Sequence, residues 1–217
     1  DSFWNGVTVE MYREYGNVDA GTANLIYGVP EVLSFSLLYY REDIFDKYNL
    51  TIPNVWDDYY TYIPTLQKYN MQAEAPQAGV MIYQYGGLMY KYDNSRQVNA
   101  RASNIDSDLY LKLFDKQNAF YTEYKCPITM DGHTRFRTGE VPMIIGTLST
   151  WKNLYAQAPE IRGLWKFHIL PGVEQEDGTV NREQVPTVTY SAIYAAGANH
   201  DGAWEFIQWF NDYECSN

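Results

Sequence analysis

The chain has 217 residues, which is enough for one large domain or two small ones with a substantial core. Its formal net charge is -11 and its sequence pI is about 4.6. Without any basic run, this charge argues against a nucleic-acid backbone or an anionic membrane surface as a partner. The sequence has no run of about 18 apolar residues, so no membrane-spanning helix or signal peptide is predicted within it.

Aromatic side chains are unusually frequent, with 21 Tyr, 9 Phe and 6 Trp making up 17% of the chain. Tyrosine tolerates a partly solvent-exposed position because its ring is apolar and its hydroxyl is polar. A core with tyrosine hydroxyls at its edge accounts for most of these residues, and a ligand-stacking surface is the alternative for the remainder. Trp56, Trp204 and Trp209 lie at or inside predicted helices and are assigned to packing or to the surface rather than to a ligand.

Metal and disulfide chemistry receive little support from the sequence. Cys126 and Cys215 are distant from one another, define no disulfide framework and are expected to be structural thiols. His133, His168 and His200 stand apart from each other and from the cysteines. Neither a metal site nor a cofactor is therefore predicted.

The predicted elements alternate between strands and helices along the chain. Residues 1–26 suggest short turns, and the apolar run Val32–Tyr40 predicts one strand buried on both faces. Asn54 is placed to cap a helix that contains Pro64, which is expected to kink it. The other predicted elements are helices at 41–48, 80–85, 107–124 and from Asn199 or Asp201 onward, and strands at 141–145, 165–170 and 188–196. This alternation predicts an α/β fold.

The stretch from Gly139 to Trp151 predicts a turn, a buried strand and a new helix in succession. Val141–Ile145 is a short apolar run, and the hydroxyl-rich residues after it can cap a helix that begins close to Trp151. In an open α/β sheet, ligands bind where strands lead into helices, so Trp151, Ser149 and Asn153 are candidate ligand-binding residues. The alternative is an ordinary strand-to-helix turn whose tryptophan fills the core.

Catalytic motifs are not found in the sequence. It has no nucleophile elbow, P-loop or dinucleotide-binding glycine pattern. Carboxylate pairs such as Asp57 and Asp58 are present, and a glycosidase needs only two carboxylates at a suitable separation. Helix capping explains Asp57 and Asp58 more simply than catalysis does. Because the sequence does not exclude a catalytic pair, a glycan-active hydrolase is kept as the alternative to a binding protein.

Six segments in a characteristic order cover most of the chain. They are Tyr27–Glu31, Leu38–Phe45, Ile52–Asp58, Phe136–Met143, Leu170–Gly172 and Ala203–Phe210. Together they resemble the successive signatures of family 1 extracellular solute-binding proteins, the maltose-binding-protein-like receptors of sugar-importing ABC transporters.

This resemblance implies a periplasmic-binding-protein-like fold of type II, in which two α/β lobes joined by a hinge close over a ligand. Residues 1–31 would be the end of the N-terminal lobe and the hinge, 32–186 the C-terminal lobe, and 187–217 a return segment of the N-terminal lobe. Such a protein captures a mono- or oligosaccharide in the cleft between its lobes and delivers it to ABC transporter permease subunits, without chemistry or cofactor. It is expected to be an extracellular monomer, periplasmic or lipid-anchored by a segment outside this chain. A non-sugar solute such as a peptide is the alternative ligand.

The resemblance also implies a set of ligand-binding residues. A sugar has apolar faces that stack on flat rings and hydroxyls that bind carboxylates and amides. Trp151 stands at an aromatic-bearing helix start that often stacks a sugar, Glu31 follows the hinge, and Glu74–Gln77 corresponds to a ligand-facing loop. The complete predicted set is Trp151, Glu31, Ser149, Asn153, Glu74 and Gln77.

Overall fold

The computed structural model describes residues 28–76, 78–92 and 98–211. These residues fall into two compact units. The described residues of the smaller unit are 28–34, 90–92, 98–102 and 187–211, and those of the larger unit are 35–76, 78–89 and 103–186. Among the described residues, this division differs from the predicted lobes in the placement of 32–34, 90–92 and 98–102. The assignment of two lobes and a hinge remains a prediction.

Strands and helices are interspersed along the chain, in agreement with the predicted α/β class. The strands are β1 (Val29–Ser34), β2 (Leu37–Arg41), β3 (Tyr90–Tyr92), β4 (Val98–Ser103), β5 (Met143–Gly146), β6 (Trp165–Ile169), β7 (Val173–Glu174), β8 (Val180–Asn181) and β9 (Thr187–Ser191). The helices are α1 (Glu42–Tyr48), α2 (Trp56–Lys68), α3 (Ala78–Gln84), α4 (Asp108–Thr122), α5 (Gly132–Thr138), α6 (Leu148–Gln157) and α7 (His200–Phe210), with a 3-10 turn at Pro159–Ile161. Across the described ranges, every helix is too short or too polar to cross a bilayer.

In the smaller unit, β1 pairs with β9 in antiparallel orientation. Val29 lies opposite Ser191 and Ser34 lies opposite Thr187, with an irregularity in the register just after Pro30. A proline has no backbone N–H to donate, so an interruption of the ladder beside it is expected. Val29–Ser34 is nevertheless an extended strand on both sides of this irregularity. β3 and β4 form a second two-stranded sheet.

The helix α7 completes the described part of the smaller unit. The Oδ1 atom of Asn199 accepts the backbone N–H of Gly202 at 3.0 Å, which identifies Asn199 rather than Asp201 as the cap. Ile207 is its buried residue. Most of the apolar surface of this helix is therefore exposed.

A three-stranded sheet with the order β5-β2-β6 organises the larger unit. β2 is antiparallel to both neighbours, and Leu38 lies opposite Ile145 on one side and His168 on the other. All five residues of β2 are buried. Because β5 and β6 are both antiparallel to β2, they run parallel to each other, and their carboxyl ends lie at the same end of the sheet.

The two faces of β2 contribute to two hydrophobic clusters. Leu38 and Tyr40 lie in the first cluster, together with Trp56, Tyr59, Ile63, Phe120 and Met143 among others. Leu37 and Tyr39 lie in the second cluster, together with Phe136, Val141, Ile144 and Leu154 among others. Successive side chains of a strand point to opposite faces, so a strand that is apolar at every position separates two cores. Burial on both faces, as predicted, is confirmed for this strand.

The prediction of one continuous strand over Val32–Tyr40 is wrong. β1 ends at Ser34 and β2 begins at Leu37. Between them, the side-chain amide of Gln184 accepts the backbone N–H of Ser36 at 2.7 Å and donates to its carbonyl at 3.1 Å. A side chain 148 residues away along the chain thus takes the place of a neighbouring strand and separates the two elements.

The predicted cap of α2 is also wrong. The carboxylate of Asp58 accepts the backbone N–H groups of Asn54 at 3.0 Å and of Val55 at 3.1 Å, so the helix is capped from within its own first turn. The side chain of Asn54 instead accepts a hydrogen bond from Arg182. α2 continues for about one turn beyond Pro64, and the kink expected there stays a prediction.

Candidate functional site

The junction between β5 and α6 has the predicted order of strand, turn and helix. Thr147 is the N-cap residue of α6, and its backbone N–H donates to Oγ1 of Thr150 at 3.2 Å. A Cβ atom at Gly146 would lie 2.3 Å from that same oxygen, so the turn requires glycine. The hydroxyl of Tyr39 donates to the carbonyl of Thr147 at 2.6 Å, and burial raises the pKa of this phenol. The start of α6 is therefore fixed against the central strand.

The first two turns of α6 present three different sides. Successive residues of a helix are about 100° apart, so residues four apart share a side and residues two apart do not. Thr150 and Leu154 form the buried side. Trp151 stacks on Tyr155 with ring centroids 5.5 Å apart and an interplanar angle of 19°. The exposed pair Ser149 and Asn153 lies on roughly the opposite side of the helix from that stack.

Trp151 is 42% exposed, so the alternative of a core tryptophan is wrong. Its ring lines an open depression of about 320 Å³, at the lower end of the range of ligand pockets. We call this the Trp151 depression; its lining residues are Trp151, Tyr155, Arg162, Gly163, Trp165, Lys166 and Phe167. It therefore combines one side of α6, the turn after the 3-10 element and the first half of β6.

β6 supplies one aromatic wall of the Trp151 depression. Trp165 and Phe167 alternate along this strand, so they project from the same face of the sheet. Their ring centroids each lie 5.8 Å from that of Tyr39, which is fully buried in the second cluster. Phe167 remains 48% exposed. The buried ring of Tyr39 therefore supports this wall, and part of the Phe167 ring remains open to solvent.

Two cations border the Trp151 depression. The guanidinium carbon of Arg162 lies 4.3 Å from the centroid of the Tyr155 ring, and its Nη2 atom donates to the Tyr155 carbonyl at 3.1 Å. Lys166 is ion-paired with the carboxylate of Glu42. That pair raises the pKa of Lys166, first through the hydrogen bond and then through the charge of Glu42. Arg162 is therefore the cation whose charge is directed at the depression.

Glu74 lies away from the Trp151 depression, at the β5 edge of the sheet. Its Oε2 atom accepts the backbone N–H of Ile145 at 2.6 Å. The depression borders β6, which is the opposite edge strand. Burial raises the pKa of the Glu74 carboxyl, and the hydrogen bond from Ile145 opposes this shift in part. The structure thus gives Glu74 a clear role in closing the strand edge and does not bring it beside Trp151.

This geometry predicts an unusual pH dependence for Glu74. A carboxyl whose pKa is raised by folding stabilises the protein below its ordinary value of about 4.3, and this contribution is lost as the pH rises through the raised value. Glu74→Gln retains an acceptor for Ile145 and carries no charge. We expect its free energy of unfolding at pH 7 to equal or exceed that of the wild type, with a smaller advantage at pH 4.

The control for Glu74→Gln is Glu74→Ala, which leaves the N–H of Ile145 without its partner and should cost about 1–3 kcal/mol at both pH values. Urea unfolding curves of the three proteins measure these differences. A Gln variant as unstable as the Ala variant at pH 7 would show that the negative charge itself stabilises the site.

The other predicted ligand residues lie elsewhere. Glu31 is on β1 in the smaller unit, where its carboxylate accepts a hydrogen bond from the hydroxyl of Ser191 on β9. Gln77 lies outside the described residues. The hydroxyl of Ser149 shares a hydrogen bond of 2.7 Å with Thr147. The structure brings Trp151, Ser149 and Asn153 onto one helix but on two of its sides, and their binding roles remain predictions.

Residues 1–214 match the model of a protein family described as bacterial extracellular solute-binding protein. The chain belongs to this family. No curated protein matches the sequence.

Solved structures of solute-binding proteins have the same fold. A solute-binding protein of an ABC transporter from Thermotoga lettingae, bound to alpha-D-tagatose, aligns with 96% of this chain and 57% of its own, at 16% identity and a TM-score of 0.67. A maltose-bound protein from T. maritima aligns over the same shares at 19% identity and a TM-score of 0.67. A binding protein from B. animalis subsp. lactis, in complex with beta-1,6-galactobiose, aligns with 93% of this chain and 53% of its own, at 18% identity and a TM-score of 0.64. The chain thus spans just over half the length of these proteins, and the predicted fold of periplasmic-binding-protein type II is confirmed.

Trp151 is the one lining residue of the depression that was predicted from sequence, and the other six were not. Tyr155 follows Trp151 by four positions, and this spacing alone places both rings on one side of a helix. The alternation of Trp165 and Phe167 likewise indicates a shared face of β6. Arg162 carried no comparable signal, because its place over the Tyr155 ring depends on the 3-10 turn between α6 and β6.

The tryptophans assigned to packing or surface follow that assignment. Trp56 is 1% exposed and its indole N–H donates to the side-chain carbonyl of Gln84. Trp204 and Trp209 are exposed on α7. None of the three lines the Trp151 depression.

Potential metal ligands are dispersed in this solute-binding protein. Within the described residues, no group of three or more His, Cys, Asp or Glu side chains could hold an ion. Cys126 is a free, buried thiol whose pKa is raised by burial, which fits a structural role. Cys215 lies outside the described residues.

Proposed function

We propose that the complete protein is an extracellular receptor that binds a sugar for import by an ABC transporter, and that Trp151 provides a stacking surface for that sugar. The family and the fold support the receptor role. The ligands bound to the structural neighbours, which are tagatose, maltose and galactobiose, support a sugar as the solute. We further propose that the protein is a lipid-anchored monomer. It would capture the sugar in a cleft between two lobes and transfer it to permease subunits.

The observation that carries the assignment of Trp151 is its exposed stack on Tyr155 beside an open aromatic depression. An indole ring that is supported on one face and accessible on another is preorganised for contact with the apolar face of a sugar. Polar groups around such a ring fix the orientation of the ligand. Arg162 and the indole N–H groups provide them here.

The alternative of a glycan-active hydrolase has no support from the carboxylates considered for it. Asp58 caps α2 through the backbone N–H groups of Asn54 and Val55. Asp57 is ion-paired with Lys116 at 2.8 Å. Both carboxylates thus have structural partners, and the capping interpretation is confirmed for Asp58. We therefore propose binding without chemistry.

Replacing Trp151 with alanine tests the proposed role of its ring. Aromatic stacking contributes about 0.5–1.5 kcal/mol beyond area burial, so Trp151→Ala should weaken sugar binding by at least about 2- to 13-fold. The melting temperature without ligand should remain nearly unchanged because the ring is 42% exposed. Isothermal titration calorimetry of the full-length protein, together with thermal unfolding, measures both effects.

The matched control is Trp209→Ala, which removes an exposed indole from α7 in the other unit. This variant should retain wild-type affinity. A Trp151→Ala protein that melts much earlier and binds sugar normally would show that the ring serves stability instead.

A further inference from the structure

The polar side-chain groups that line the Trp151 depression are nearly all hydrogen-bond donors. Arg162 carries five N–H donors, Lys166 three and each indole one, and none of these groups accepts a hydrogen bond in its charged or indole form. The hydroxyl of Tyr155 is the side-chain group of the lining that can also accept. Within the described residues, no carboxylate or side-chain amide lines the depression. A fully neutral sugar, whose hydroxyls donate as well as accept, would find few side-chain acceptors on this surface.

Arg162 adds a charge to this donor-rich surface. Among residues 28–76, 78–92 and 98–211, its guanidinium forms one hydrogen bond, to the Tyr155 carbonyl, and has no carboxylate partner. The neighbouring arginine on α5, Arg137, is paired with Glu160, and Lys166 is paired with Glu42. The planar fork of an arginine matches the two oxygens of a carboxylate. Arg162 thus has donors that a ligand can use.

We infer that the sugar bound at the Trp151 depression carries a carboxylate, as in an oligosaccharide that contains a uronic acid residue. Its ring would stack on Trp151 or Phe167, and its carboxylate would pair with Arg162. The stacked position of Arg162 over Tyr155, at 4.3 Å, holds the guanidinium beside the aromatic surface and limits the entropy lost on binding. This inference rests on the proposed sugar-binding function and specifies the class of sugar.

The net negative charge of the chain does not favour the binding of an acidic sugar. With a formal net charge of -11, the protein repels anions at long range, so an acidic sugar gains nothing from non-specific attraction. Preference for an acidic sugar would have to arise from a local contact. Arg162 is the residue whose removal should abolish it.

Calorimetric titration of the full-length protein with trigalacturonate and with galactotriose of the same linkage tests the inference. We expect trigalacturonate to bind at least about tenfold more tightly, which is the effect of one charge-assisted hydrogen bond. Arg162→Gln should reduce the ratio of the two affinities to near one. Arg137→Gln, a matched change at an exposed arginine paired with Glu160, should leave the ratio unchanged.

Three other outcomes overturn the inference in distinguishable ways. Equal or tighter binding of galactotriose by the wild type would leave the proposed function standing and refute the acidic class. A preference for trigalacturonate that survives in Arg162→Gln would place the carboxylate elsewhere. Absence of binding to these and to other mono- and oligosaccharides would refute the proposed function as well.

Discussion

Trp56→Ala is expected to lower the free energy of unfolding by about 3–5 kcal/mol, as large aromatic truncations in a packed core do. Trp56 is 1% exposed and lies in the first hydrophobic cluster, in edge contact with Tyr59 at a centroid distance of 5.8 Å. Its indole N–H also donates to Gln84, whose own amide donates to the carbonyl of Pro171 at 3.2 Å. Truncation therefore creates a cavity and leaves a buried amide oxygen without a donor.

The matched control for this prediction is Trp204→Ala, because Trp204 is 46% exposed and lies on α7. In denaturant unfolding at pH 7, Trp204→Ala should lower the free energy of unfolding by well under half as much as Trp56→Ala does. Similar losses for the two variants would contradict the assignment of Trp56 to the core and of Trp204 to the surface.

Arg41→Met is expected to cost about 1–3 kcal/mol, because it removes a buried guanidinium from its hydrogen-bond acceptors. The Arg41 side chain is 8% exposed and binds both carboxylate oxygens of Asp43 at 2.8 Å. Its Nη1 atom also donates to the carbonyls of Phe136 at 3.0 Å and Arg137 at 3.1 Å, at the end of α5. Loss of the guanidinium removes the Arg41 donor from the Arg137 carbonyl, whereas the Phe136 carbonyl keeps the backbone N–H of Gly139 at 3.2 Å. Asp43 is exposed enough to regain water.

The ion pair with Arg41 also predicts a pH dependence of opposite sign to that of Glu74. The hydrogen bond from Arg41 is the main cause that lowers the pKa of Asp43, and the charge of Arg41 adds to it. The resulting stability is present above the ordinary aspartate pKa of about 3.9 and is lost as the pH falls through the lowered value. The wild type should therefore lose more stability than Arg41→Met between pH 5 and pH 2.

Arg137→Met is the control for Arg41→Met, since Arg137 forms an exposed pair with Glu160 at 2.7 Å and such pairs contribute about 0–1 kcal/mol. Unfolding monitored by circular dichroism at several pH values compares the two variants. A loss of stability in Arg137→Met as large as in Arg41→Met would contradict the distinction between the buried and the exposed pair.

Local sequence patterns predicted the elements that depend on local physics. The fully apolar run of β2 indicated burial on both faces, and the structure confirms it. Asn49 ends α1 in the left-handed conformation at φ 53°, which asparagine tolerates. The turn from β5 into α6 was recognisable from Gly146 and the hydroxyl-rich residues after it.

Contacts between distant parts of the chain could not be predicted in the same way. The break between β1 and β2 depends on Gln184, which reaches Ser36 from the far end of the larger unit's sequence. The role of Glu74 depends on its contact with Ile145 at a strand edge. A single sequence contains the residues for such contacts and gives no sign of their pairing.

The candidate site shows the same division between local and long-range information. Trp151 was found from its place after a strand, and its partner Tyr155 follows from helical spacing. Trp165 and Phe167 reach the same depression only because β6 pairs with β2 and brings them against Tyr39. The neighbourhood of Trp151 was therefore predictable along its own helix and not across the sheet.

Calorimetric titration of the full-length protein with mono- and oligosaccharides, followed by chromatographic recovery of the sugar, tests the receptor role most directly. We expect saturable binding of one sugar per protein, with the ligand recovered intact after prolonged incubation. Absence of binding to every sugar, or recovery of shortened products, would contradict it.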